Sequence, residues 1–341
     1  MTSGSGPVIE TDGLSRSYPP DIRAVDDLRL TVRPGEVYGF LGRNGAGKTT
    51  TMRMLVGLVR PTAGTGRVLG RPLGDPAALA RVGSLIEAPA FQPHLSGLDN
   101  LRLLARYLGV GDPAARAALD QVDLAGRAAH RYRTYSLGMK QRLGVAAALL
   151  DDPELLILDE PTNGLDPAGM AAMRDLFRSL AGRGRTVLLS SHLLGEVAQV
   201  CDRIGIIHAG RLVVEGDLAE VQARLGGPGT VSVRVRPVEA ALARLRELPG
   251  VRVLRVDGEL VELGGGTAAP LAADAADQSD RVAGPELAAE INEALVLAGV
   301  RVSELSWARH TLEEVFLDLT TESPDPPRQL WAPGEPQEVR R

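Results

Sequence analysis

Gly42-Arg43-Asn44-Gly45-Ala46-Gly47-Lys48-Thr49 is the stretch on which the fold turns. It meets the pattern G-x-x-x-x-G-K-[ST] at every fixed position, and its flanks supply the context that pattern requires. The apolar run Val37-Tyr38-Gly39-Phe40-Leu41 ahead of it reads as a buried strand. Thr50 to Val59, with Met52, Leu55, Val56 and Leu58 apolar, reads as the helix that follows. Glycines let the backbone curl so that successive N–H groups face phosphate oxygens, and the helix N-terminus adds positive partial charge. Lys48 then supplies a full charge to the terminal phosphates, and the Thr49 hydroxyl can ligate Mg²⁺. A glycine-rich turn that binds nothing is the bland alternative; the strand-loop-helix order counts against it.

Working outward, the chain has 341 residues, enough for one large or two modest domains. With 44% hydrophobic but only 3% aromatic residues, the core must be aliphatic. Acidic residues outnumber basic ones, 43 to 38, so no global attraction to nucleic acid or anionic lipid is expected. The single cysteine, Cys201, excludes an intrachain disulfide and a cysteine metal cluster, as suits a reducing cytosol. Met1 to Gly6 has neither a basic start nor an apolar run, so no secretion signal is expected. Apolar runs such as Leu143 to Leu150 fall far short of the roughly 20 residues of a membrane-spanning helix.

Residues 7 to about 217 alternate between short β-type runs and helical stretches, which predicts an α/β domain with a mostly parallel core sheet. The expected strands are Val8–Thr11, Leu28–Val32, Gly35–Leu41, Val82–Ile86, Leu155–Asp159, Thr186–Ser190 and Ile204–Ala209. A helical block from about 97 to 138 interrupts them, with breaks between Gly109 and Asp112. Beyond Asp217 the pattern shifts to a small α+β domain, residues 218–321. Its expected strands are Val231–Val235, a hairpin Val251–Val256 and Leu260–Leu263, and Val300–Leu305; its expected helices are Ala240–Leu248, Leu287–Leu297 and Leu312–Leu319. Gly264 to Asp280 reads as a loop, and the proline-rich residues 322–341 as a disordered tail.

Leu155 to Glu160 is an apolar strand ending in two acids. Asp159 sits where a carboxylate holds Mg²⁺, and Glu160 where one orients and deprotonates a water. Acidic strand ends are common, and this pair gains weight only beside the loop at Gly42. Two further stretches narrow the reading: Tyr135-Ser136-Leu137-Gly138-Met139-Lys140-Gln141-Arg142 ahead of a helix from Leu143, and Pro161-Thr162-Asn163-Gly164-Leu165-Asp166 after the acids. His192 follows the apolar Val187-Leu188-Leu189-Ser190-Ser191.

With these motifs in this order, residues 7 to 217 resemble the ATP-binding cassette ATPase, the motor subunit of ABC transporters. The resemblance implies a head-to-tail pair of cassettes, a homodimer or two different ones, that sandwiches ATP. It assigns nucleotide contacts to Gly42, Arg43, Asn44, Gly45, Ala46, Gly47, Lys48, Thr49 and Thr50, and adenine stacking to Tyr18. Ser136 and Gly138 would meet the γ-phosphate held by the partner, and Asp166 would lie in the loop that crosses the dimer. Catalysis falls to Glu160 as base and His192 at the γ-phosphate; Mg²⁺ falls to Thr49, Asp159 and Glu87, the last standing where the family usually has glutamine. Leu137 and Met139 replace the more usual glycine and glutamine.

The run Leu85-Ile86-Glu87-Ala88-Pro89-Ala90-Phe91, with Leu312-Glu313-Glu314-Val315-Phe316-Leu317, is similar to cassettes of the daunorubicin and bacitracin resistance exporters. This implies an integral-membrane permease as partner, no nucleic acid, and a position on the inner face of the cell membrane. A soluble cassette acting as an ATP-gated switch on a non-transport partner is the alternative. Ribosome- or DNA-directed cassettes usually carry two copies or a coiled-coil insertion, and this sequence has neither.

Overall fold

The computed structural model describes residues 6–87, 90–197, 199–225, 230–265 and 284–308. The expected helix Leu312–Leu319, most of the expected loop and the proline-rich tail lie outside them. The chain divides into two compact units, the second beginning at Ala219.

The first unit is organised on a six-stranded sheet in the order Arg211–Asp217, Arg203–His208, Val37–Leu41, Thr186–Ser191, Leu155–Leu158, Val82–Leu85. All pairings are parallel except the outer one between Arg203–His208 and Arg211–Asp217. Val37–Leu41, Leu155–Leu158 and Thr186–Ser191 are buried throughout; the first two read as apolar runs without polar alternation, while the third keeps hydroxyls at Thr186, Ser190 and Ser191. Parallel strands put their carboxyl ends on one edge. Gly42, Asp159 and His192, each just past a strand end, are therefore neighbours there, the position at which open α/β sheets bind ligands.

At the amino ends of the same strands, Arg203 is buried between Glu36 and Glu215, 3.2 Å from each. The Tyr38 hydroxyl donates to Glu215 at 3.0 Å. Burial pushes both carboxyls above their ordinary range, an effect that Arg203 partly offsets.

An antiparallel sheet adds to the unit in the order Ile22–Leu28, Ile9–Tyr18, Ala63–Val68, Arg71–Pro72, with Thr31–Val32 beside Ile9–Tyr18. The single strand expected over Leu28–Val32 is thus two pieces. The reason is Thr11, whose hydroxyl donates to Leu28 O at 2.9 Å and accepts from Leu30 N–H at 2.8 Å, so a side chain takes the place of a ladder bond at the bend.

The helical block consists of Gly97–Leu108 and Asp112–Gln121, short turns at Ala125–Arg127 and Tyr132–Thr134, and Leu137–Ala148. Ser96 caps the first helix by accepting from Asp99 N–H, and Gly109, at φ 76°, closes it in the left-handed conformation. The helix expected from Leu143 begins at Leu137 instead. Ser136 caps it by accepting from Met139 N–H, and the polar run Gly138 to Arg142 hid that first turn.

After the helix Leu218–Leu225, the order in the second unit is strand-helix-strand-strand-helix-strand: Thr230–Arg236, Val238–Leu245, Val251–Asp257, Leu260–Gly265, Gly284–Leu297, Arg301–Ala308. The four strands form one antiparallel sheet with Thr230–Arg236 and Leu260–Gly265 inside. This is the ferredoxin-like split arrangement. Alternate residues Val231, Val233 and Val235 are buried with Ala241 and Leu245 of one helix and Ile291 and Leu295 of the other, so both helices cover the same face.

Candidate functional site

The phosphate loop leaves Leu41 and enters the helix Lys48–Leu55, whose N-cap Gly47 has φ 113°. A side chain is excluded at Gly47 by space as well as by conformation, since an added Cβ would lie 2.4 Å from the carbonyl of Ala24. Gly42 is held to the neighbouring strand by its N–H on Ser191 O at 3.3 Å. Lys48 is buried, and its ammonium donates to Gly42 O at 2.6 Å and Arg43 O at 3.4 Å. The loop is therefore wrapped around its own cation.

The acids converge on the same point. Glu160 Oε1 lies 3.2 Å from Lys48 Nζ, and its Oε2 lies 2.7 Å from Nδ1 of His192. Thr49 donates its hydroxyl to Asp159 Oδ2 at 2.7 Å, and Ser190 donates to Asp159 Oδ1 at 2.5 Å. Lys48, Glu160 and His192 form one set and Thr49, Asp159 and Ser190 another; the Glu160 N–H, donating to Ser190 Oγ at 2.9 Å, joins them into one network at the ends of three adjacent strands. Glu160 has φ 49°, unusual for a residue with a side chain.

The remaining expected site residues are set around this network. Tyr18 pairs with Ile22, and Ala24 of that same strand is the residue abutting Gly47; the Arg16 guanidinium lies 4.5 Å from the Tyr18 ring centroid. Ser136 is the N-cap described above. Gly138 has Leu165 beside it, at 3.1 Å from an added Cβ, and Asp166 caps the helix Pro167–Gly182 by accepting from Gly169 N–H at 2.9 Å. Glu87 is exposed, has φ 68°, and pairs with Arg53.

Thr49 and Asp159 offer two hard oxygen donors a hydrogen bond apart, which suits Mg²⁺. Among the described residues no group of three or more His, Cys, Asp and Glu could form an all-protein cage. Mg²⁺ bound here would complete its shell with phosphate oxygens and water, as it commonly does.

Three residues entered the site without a role assigned from sequence, although Gln141 and Ser190 lie inside stretches quoted above. Ser190 carried only a weak signal, one of three hydroxyl residues, with Thr186 and Ser191, in its strand. Gln141 reaches Glu160 from the helical block, and Arg53 is placed one helical turn after Thr49.

The family model described as ABC transporter matches residues 25–163. The bacitracin transport ATP-binding protein of Bacillus licheniformis is 47% identical over 212 residues, covering 61% of this chain and 69% of that protein. The daunorubicin resistance ATP-binding protein of Streptomyces coeruleorubidus is 40% identical over 319 residues, covering 92% of this chain and 95% of its own. Among solved structures, an ATP-binding subunit of an ABC transporter has a TM-score of 0.58 at 30% identity, covering 64% of this chain and 93% of that one.

Proposed function

The chain belongs to the family of ABC transporter ATP-binding proteins, and from that membership we propose that it hydrolyses ATP to drive a separate membrane permease that exports an antibiotic or drug. The observation carrying this reading is the convergence of Lys48, Glu160 and His192 at the mouth of the phosphate loop. Export is supported by relatives named for bacitracin transport and daunorubicin resistance. Among the described residues, no helix is long and apolar enough to cross a membrane. The permease is accordingly taken as a different chain, with this one docked at the inner face of the membrane. Residues 7–217 act as the cassette, and 218–321 as an accessory domain.

In the proposed reaction Gly42 to Thr50 surround the phosphates, Tyr18 stacks on adenine, and Lys48 turns from Glu160 to the γ-phosphate. Glu160 then takes the proton of a water whose oxygen attacks the γ-phosphorus; the bond to the bridging oxygen breaks, and ADP leaves. His192 holds the Glu160 carboxylate through Nδ1 while Lys48 lets it go. Mg²⁺, held by Thr49 and Asp159, would neutralise phosphate charge; Glu87, the third expected donor, is paired with Arg53. Ser136 and Gly138 serve the nucleotide of a paired cassette, so that closure excludes water from two shared sites.

The test is phosphate release by the purified full chain beside its Lys48→Ala variant. Turnover by the parent and none above background in the variant is expected; equal turnover in both would overturn the assignment.

A further inference from the structure

We propose that Gln141 is a positioning residue for Glu160, and that through it the helix capped by Ser136 sets the aim of the proton acceptor in its own chain. The proposal rests on the reading of Glu160 given above.

Glu160 is held by side chains at both ends of its backbone. Its N–H donates to Ser190 Oγ at 2.9 Å, and its carbonyl accepts from Gln141 Nε2 at 3.0 Å. A carbonyl can only accept, which fixes the amide of Gln141 with its nitrogen inward. Ser190 is fully buried and spends its own proton on Asp159, so that jaw is rigid. The two jaws hold a residue at φ 49°, a conformation that relaxes unless its surroundings impose it. Turning the peptide on either side of Glu160 swings its Cα–Cβ bond, and with it the carboxylate that must face water.

Gln141 rides on the helix Leu137–Ala148, and the start of that helix is locked to the loop after Glu160. Leu137 sits so tightly over Gly164 that an added Cβ there would come 2.3 Å from Leu137 Cδ2, and Gly138 adjoins Leu165. Three contacts on one short helix thus bracket the segment from Glu160 to Leu165. A helix transmits displacement as a rigid body, so engagement of Ser136 by a nucleotide on the partner cassette shifts the carbonyl of this chain's Glu160. Each site thereby reports its occupancy to the other, which is a coupling between two sites through one physical element.

The test uses the purified full chain with Gln141→Leu, which keeps side-chain bulk and helix propensity but removes the donor, and Gln141→Lys, which restores one. Gln141→Leu is expected to lower kcat about 3–10-fold, the range of one neutral hydrogen bond, with KM for ATP and the affinity for a fluorescent ATP analogue within about twofold. Gln141→Lys should recover most of the kcat. Combined with Ser136→Ala, the Gln141→Leu effect should shrink below about twofold, because the helix then has no signal to pass on.

A kcat within twofold of the parent in Gln141→Leu would overturn the proposal. So would a matching rise in KM with a lowered melting temperature, the mark of a merely structural role, or full multiplication of the two effects in the double variant. Glu160→Gln assayed in parallel separates the causes: if it retains turnover, the base assignment falls and the clamp with it. If it is inactive while Gln141→Leu is normal, the clamp alone falls.

Discussion

Glu160→Gln separates two jobs that the proposed reaction gives to one carboxylate. Glu160 Oε1 lies 3.2 Å from Lys48 Nζ, and in that reaction an incoming triphosphate takes Lys48 away from it. At that distance, with an effective dielectric of about 20, the Coulomb attraction is about 5 kcal/mol. That figure is gross. The Glu160 side chain is 23% exposed, against 6% for Lys48, and a glutamine oxygen would keep part of the contact as a charge–dipole bond. Discounting for both leaves roughly 1–2 kcal/mol of competition removed, hence triphosphate bound about 5–30-fold more tightly by the variant. Loss of the proton acceptor should at the same time lower kcat by about 10²–10⁴. Titration with a fluorescent ATP analogue and a phosphate-release assay on one preparation read both numbers, and sizing chromatography with ATP should show a trapped dimer. Slow turnover with unchanged or weaker binding would refute the competition argument; turnover within tenfold of the parent would refute the base.

Three further outcomes are expected. Gly47→Ala forces a side chain into φ 113° and against Ala24 O, so nucleotide affinity should fall by about tenfold or more, whereas Gly45→Ala, at φ 84° with open space around it, should lose less; equal effects would remove the steric argument. Arg203→Met leaves Glu36 and Glu215 buried without their cation and should cost about 3–5 kcal/mol at pH 8 by urea unfolding. Both carboxyls titrate above their ordinary 4.5, so the native state holds protons that the unfolded chain has released; stability from these groups is greatest below that value and declines as pH rises through the elevated folded range, making the variant's deficit smaller at pH 5 than at pH 8. A chain ending at Leu218, where the first compact unit gives way to the second, should still bind nucleotide; loss of binding would show that the accessory part is needed to fold the cassette.

How legible these features were depended on where their information lies. The phosphate-loop strand and the strand before Asp159 were readable because both faces are covered, leaving an apolar run with no alternation to misread. The antiparallel sheet was readable only in part: Val8–Thr11 and Leu28–Val32 were expected and overlap its strands, while Ala63–Val68 was not expected. Ala63–Val68 contains two glycines and is mostly exposed, and it is a strand because it pairs with Ile9–Tyr18, with Gly64 so close that an added Cβ would lie 2.1 Å from Gly13 O. That is tertiary information, absent from a local window. In the site, residues whose side-chain chemistry names a role announced themselves; residues that act by holding a neighbour did not, even where, like Gln141, they stand inside a quoted motif. Ser190 and Gln141 bond to a carboxylate and to backbone atoms that are remote in sequence. Arg53 gives Glu87 a local partner, so the exchange of glutamine for glutamate there comes with a compensating charge that a motif alone does not reveal.

The same geometry bears on why binding and chemistry would occur in that order. Lys48 is already out of water, with two loop carbonyls and a carboxylate around it, so the cost of desolvating the ammonium is met when the chain folds. What a triphosphate adds is an exchange: phosphate oxygens for Glu160 on the same cation. On the proposed reading, that exchange is also what frees Glu160 to meet a water. While Lys48 holds it, one carboxylate oxygen is committed to the ammonium at 3.2 Å and the other to His192 at 2.7 Å, so neither faces a water. Once phosphate claims Lys48, Oε1 is released while His192 still holds Oε2. The acceptor is therefore uncovered by the arrival of the substrate it serves, whereas in the empty loop it stays turned to its own cation.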